Sequence, residues 1–133
     1  ARVLFHITGE QSYMDKAAQV LLYGLESNRT TSGGLLRSEG ENMDQSIFKA
    51  VFIPYAVNYV LDADADMNSA GRIKEKLLKN ADALYKHVDR TYYPSMFCNY
   101  WWGETVPQGT RVSMGAQASG ASLMENVARM VKK

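Results

Sequence analysis

Four stretches of this chain repeat apolar residues at steps of three and four, the spacing of one helix face, and this periodicity restricts the fold more than any other feature. It is clearest before residue 89, where Ala70, Ile73, Leu77, Ala81, Leu84 and Val88 form a stripe. Arg72, Lys74, Glu75, Lys76, Lys79 and Asp82 fall on the opposite, solvated face, and Asn68 or Ser69 is placed to cap the helix. Upstream, Met14, Ala17, Ala18, Leu21, Leu22 and Leu25 predict a helix that follows Ser12 and runs to about Ser27. A third helix is expected from Met43 to Leu61, its buried stripe made of Met43, Ile47, Ala50, Val51, Pro54, Val57 and Leu61. Pro54 removes a backbone donor, so a kink is expected near Ala50. The last helix starts near Ser113 and ends near Val131, with Ala116, Gly120, Leu123, Val127 and Met130 on one face. Residues 1 to 7 read as the final turns of a helix with no start signal, ending at Thr8-Gly9, and a truncated domain is expected from that. Every long element is helical, so the fold class is all-α, with consecutive helices joined as hairpins.

Composition narrows the functional classes. The 133 residues, 46% hydrophobic, suffice for one core and not for two ordinary domains. Fifteen basic residues against fourteen acidic ones leave a net charge of +1, which gives no electrostatic footprint for nucleic acid. A single cysteine, Cys98, excludes an intrachain disulfide and cannot by itself hold a structural zinc; it is read as an inert buried thiol. No apolar run is long enough for a membrane span or a signal peptide. Asn28-Arg29-Thr30 is a glycosylation sequon of low specificity.

The polar residues with most to offer follow a glycine-rich turn. The loop from Asn28 to Asn42 is expected to hold a short hairpin at Gly33-Gly34, and it delivers Asp44, Gln45 and Lys49 to the start of the third helix. Two readings are open there: a helix start complemented by Asp44 with a solvated Lys49, or side chains facing a cleft. Asp62, Asp64 and Asp66 alternate with alanine and read as a solvated connection, because a calcium loop would need a glycine turn and a later glutamate at set spacing. Residues 89 to 112 break the helical pattern with prolines, glycines and a concentration of aromatics. Such a segment suits a platform for sugar rings as well as core packing; Trp101 is read as core, whereas Trp102 fits either role.

The letters also resemble a known family. Asp44-Gln45-x-x-Phe48-Lys49-Ala50-x-Phe52, preceded by Gly34, Leu35, Arg37 and Glu39, is similar to the signature of glycoside hydrolase family 76, the endo-α-1,6-mannanases and their bacterial relatives. Thr8-Gly9-Glu10-x-x-Tyr13-Met14-Asp15-x-Ala17, and later Trp102-Gly103 and Gln117-Ala118-Ser119, resemble further family elements in the same order. Ala50 departs from the family, which commonly has glycine there.

The resemblance implies helical hairpins forming part of an (α/α)6 toroid, with residues 1–133 as the C-terminal half of such a domain. It implies a cleft for α-linked mannan or a related polysaccharide, with Asp44, Gln45, Lys49, Trp102 and Gln117 as substrate-binding candidates. Family members act through two adjacent aspartates in their N-terminal half, and this sequence has no Asp-Asp pair. The chain alone is therefore expected to be inactive, with no catalytic residue, no metal and no cofactor of its own. An extracellular, periplasmic or cell-surface location is implied, as is a missing N-terminal half or a second copy covering exposed helix faces. The alternatives are a noncatalytic glycan-binding protein or a helical interaction module on the same scaffold.

Overall fold

The computed structural model describes residues 1–132. Its helices are α1 (Arg2–Thr8), α2 (Gln11–Glu26), α3 (Met43–Ser46), α4 (Phe48–Val60), α5 (Met67–His87) and α6 (Met114–Val131), and one two-stranded ribbon pairs β1 (Thr31–Ser32) with β2 (Leu35–Leu36). The all-α class and the hairpin succession follow the sequence periods. α6 makes its most extensive contact with α4, and α5 packs on α2, α4 and α6. The core fills the space between them: Ile53 and Val57 of α4, Ile73 and Leu77 of α5 and Leu123 of α6 are fully buried, with Met14 and Leu25 of α2 closing one side. Burying each such side chain contributes roughly 1.5–3 kcal/mol.

The ribbon turns through Gly33 and Gly34, both at positive φ (60° and 79°), where a side chain would be strained. α5 holds it from below. Asn80, fully buried, accepts the Leu36 N–H and donates to the Lys76 carbonyl, and the Lys79 ammonium donates to the Gly33 carbonyl.

Four expectations need correction. The helix expected from Met43 to Leu61 is two helices, divided at Ile47. Asn42 caps the first through its side chain, which accepts the Gln45 N–H, and the chain resumes helical bonding only after Ile47. The break resets the helical phase. Met43, Ile47 and Val51 are therefore exposed, and α4 instead buries Lys49, Ile53, Ala56, Val57 and Tyr59. α4 continues through Pro54, and the Ala50 carbonyl, which a proline four residues on cannot serve, accepts a hydrogen bond from the Ser122 hydroxyl of α6 at 3.1 Å.

Capping residues also shift. Asp66, rather than Asn68 or Ser69, caps α5 by accepting the Ser69 N–H, and α2 starts at Gln11, so Ser12 lies within its first turn. Asp62 is not solvated: Arg2 and His6 of α1 both reach its shielded carboxylate at 2.7 Å. Of the two tryptophans, Trp102 is buried, whereas Trp101 is only half-buried.

One apolar face stays open. Phe48, Val51 and Tyr55 of α4 and Val20 and Tyr23 of α2 are more than half exposed. Among the described residues no helix is long and apolar enough to cross a membrane.

Candidate functional site

The starts of α3, α4 and α6, the 28–42 loop and the segment after Cys98 converge at one end of the molecule, where a chain of polar contacts ties them together. Ser113 caps α6 by accepting the Ala116 N–H, and its hydroxyl lies 2.6 Å from that of Ser46 in α3. The Ser119 hydroxyl donates to the Ser46 carbonyl at 2.7 Å, and the Ser113 N–H donates to the Tyr100 hydroxyl. Gly115 lets α6 approach α3 this closely: a Cβ there would collide with the Ser46 hydroxyl and the Met43 carbonyl.

Lys49 projects from α4 into the middle of this network. It is 4% exposed, donates to the Tyr100 carbonyl, and its ammonium lies 4.3 Å from the centre of a Trp102 ring. Burial pulls its pKa down to about 8, against the opposing influence of Glu39 and Cys98. Burial also raises the Glu39 carboxyl above its ordinary value, with Lys49 pulling the other way. Together they face a cavity of about 290 Å³, bounded also by Arg29, Arg37 and Phe52. Two ionisable groups, both displaced toward their neutral forms and lining one concavity, make this cavity a candidate functional site.

The five residues singled out by sequence divide into three groups. Asp44 and Gln45 are exposed at the start of α3, on the rim, and the Gln45 side chain lies so close to Gly40 (φ 126°) that a Cβ there would collide with it. Lys49 and Trp102 are brought together beneath the rim, which removes the solvated-lysine reading. The Gln117 amide is taken up by the backbone: it accepts the Cys98 N–H at 2.8 Å and donates to the Cys98 carbonyl at 2.9 Å. Cys98 itself is buried, its thiol donating to the Ala116 carbonyl and held above its ordinary pKa by burial.

Sequence reasoning left Glu39 and Phe52 out of the site, although both stood in the quoted motif. Their pairing depends on the turn at Gly40 and on the phase of α4, neither of which a helical period reveals.

At the opposite end of α4, His6, Asp62 and Asp64 form the one grouping among the described residues whose ligand-type atoms lie within 4.8 Å of one another. The Arg2 guanidinium already supplies positive charge to Asp62. Thirteen helical residues separate this cluster from the rim, roughly 20 Å at 1.5 Å per residue. These aspartates therefore do not serve the same cleft.

No family model matches the chain, and no curated protein does. Solved structures do. The GH76A α-1,6-mannanase from Salegentibacter sp. HEL1_6 superposes with a TM-score of 0.85 at 28% identity, over 96% of this chain and 36% of that one. Two inactive variants of that mannanase, each with two consecutive aspartates replaced, match equally well; one is in complex with α-1,6-mannotetrose and the other with α-1,6-mannotriose. The chain thus resembles a glycoside hydrolase family 76 enzyme in three dimensions as well as in its motifs, and spans about a third of the length of the chains it matches.

Proposed function

We propose that this chain forms part of the saccharide cleft of a glycoside hydrolase acting on α-1,6-mannan or a related polysaccharide, and that the bond-breaking carboxylates lie outside these 133 residues. The observation that carries the reading is the superposition, at a TM-score of 0.85, on an α-1,6-mannanase whose inactive variants are in complex with mannooligosaccharides. Local chemistry supports it. Asp44 and Gln45 offer a carboxylate and an amide at an exposed helix start, groups that hydrogen-bond sugar hydroxyls in pairs. A retaining glycosidase needs two carboxyl groups about 5 Å apart around the scissile bond. Asp62 and Asp64, which lie together with His6, are engaged by α1 at the far end of α4.

Trp102 and Gln117 support the cleft rather than touch sugar, the first by packing under Lys49 and the second by fixing the Cys98 backbone. Calorimetric titration with α-1,6-mannotetraose, with an α-1,6-glucan oligosaccharide as control, tests the reading. Mannan-selective binding without hydrolysis is expected, and Asp44→Ala should weaken it at least tenfold. Equal binding of both sugars, or of neither, would refute it.

A further inference from the structure

The cavity below the rim, which none of Asp44, Gln45 and Gln117 lines, is dominated by positive charge. Arg29 enters it from the turn after α2, Arg37 from the end of β2 and Lys49 from α4, against a single carboxylate, Glu39. None of the ion pairs among the described residues involves any of these three cations. Their donors are mostly unspent. Arg37 gives one N–H to the Asn28 carbonyl, Lys49 gives one to the Tyr100 carbonyl, and the Arg29 side chain gives none among the described residues. A guanidinium carries five donors and an ammonium three. The Ser38 hydroxyl accepts the Gly40 N–H, and its own proton has no acceptor among the described residues. Water meets the needs of the two exposed guanidiniums, but Lys49 is 4% exposed, and a buried donor short of acceptors is costly. A ligand that brings oxygens relieves that cost. Phe52, half-buried, walls the cavity with apolar surface, where charge attraction is stronger than in open water.

We infer that this cavity binds a tetrahedral oxyanion, phosphate either free or as a monoester, through Arg29, Arg37 and Lys49. A carboxylate offers two oxygens in one plane, whereas phosphate offers acceptors in three directions, matching cations that arrive from three separate segments. Glu39 sets the sign of the site: ionised it opposes an anion, and protonated it donates a hydrogen bond to one. Burial pushes its carboxyl above the ordinary value, the direction that suits an anion. The inference is independent of the mannan reading, since it needs neither Asp44 nor Gln45 and no sugar ring.

The test is calorimetric titration of the native chain at pH 7 and low salt with inorganic phosphate, mannose 6-phosphate and unphosphorylated mannose. Both phosphates should bind, mannose should not, and the affinity should fall as salt is added. Arg29→Gln and Arg37→Gln, both at exposed positions, should keep the native urea midpoint and each weaken binding about tenfold. Glu39→Gln should strengthen it, a gain that no folding defect produces. Tighter binding of mannose 6-phosphate marks a monoester as the ligand, tighter binding of inorganic phosphate marks the free ion, and either supports the site. Glucuronate bound as tightly as phosphate overturns the tetrahedral assignment. Binding of neither phosphate, or one affinity shared by the native chain and all three variants, overturns the site whatever mannotetraose does.

Discussion

Lys49 at the start of α4 and Asp62 just past its end are both charged and both shielded from water, yet their surroundings treat the charge in opposite ways. Around Lys49 the connecting segments supply one carbonyl, one indole face and the nearby Glu39 carboxyl, too little to replace water, and its pKa falls to about 8. Around Asp62 burial also opposes ionisation, but hydrogen bonds from His6 and Arg2 outweigh it and hold the carboxyl at about 2. The far end of α4 is thus built for stability, and the cleft end tolerates an unfavourable charge. Natural proteins accept such a local penalty chiefly where a site needs the group.

Three measurements can break or sharpen this contrast. The largest effect belongs to Lys49. Its folded pKa lies below the unfolded value, so the unfolded chain binds the proton more tightly and stability must rise with pH above about 8. Between pH 8 and 9.5 the Lys49 share of the gain should be about 1.5 kcal/mol, rising toward about 1.4 kcal/mol per pH unit. It is read as the difference between the native chain and Lys49→Met, because the raised pKa of the Cys98 thiol opposes it in both. Lys49→Met should flatten that rise and be more stable than the native chain at pH 7. Urea midpoints at both pH values check this, and parallel profiles for the native chain and Lys49→Met would show that Lys49 is better solvated than its burial indicates.

Asp62 should behave inversely. Its folded pKa is depressed, so the stability it contributes is present above the unfolded value near 3.8 and disappears as pH falls toward 2. Asp62→Asn should cost about 1–2 kcal/mol at pH 7 and remove that acid window. The damage should concentrate in α1, which buries no residue of its own and whose two side-chain hydrogen bonds to the rest of the chain end on this carboxylate. Faster amide exchange at Phe5 and Gly9, with α5 unaffected, would confirm the location; uniform loss across the chain would contradict it.

The smallest effect is at Ser122. Removing its hydroxyl leaves the Ala50 carbonyl without the donor that Pro54 cannot supply, which should cost about 1 kcal/mol. In Pro54→Ala the helix provides its own donor, so Ser122→Ala should then be nearly neutral. Additivity in that double-mutant cycle would mean the two positions are independent.

How far the letters revealed the molecule follows the same division. α5 and α6 were legible almost in full, because an uninterrupted apolar period needs no tertiary information: Ile73, Leu77, Ala81 and Leu84, then Ala116, Gly120, Leu123 and Val127, are buried as the spacing implies. The α3–α4 region was not. A period read across Ile47 assigns Val51 to the core and leaves Lys49 outside it, and the break there inverts both assignments. Which groups met at the cleft was legible only in part. Motif order pointed to Lys49 and Trp102, while Gln117's pairing with Cys98 and the approach of Glu39 to Lys49 depend on how residues 28–42 and 98–113 fold back, which no local spacing encodes.

The way α5 carries the ribbon has an effect at a distance. Because Asn80 and Lys79 grip Leu36 and Gly33, the strand that leads into Glu39 is suspended from a helix with no residue in the cavity. Substituting Asn80 would therefore shift Glu39 and its wall of the cavity from the back of the molecule, with every residue that lines the cavity left intact.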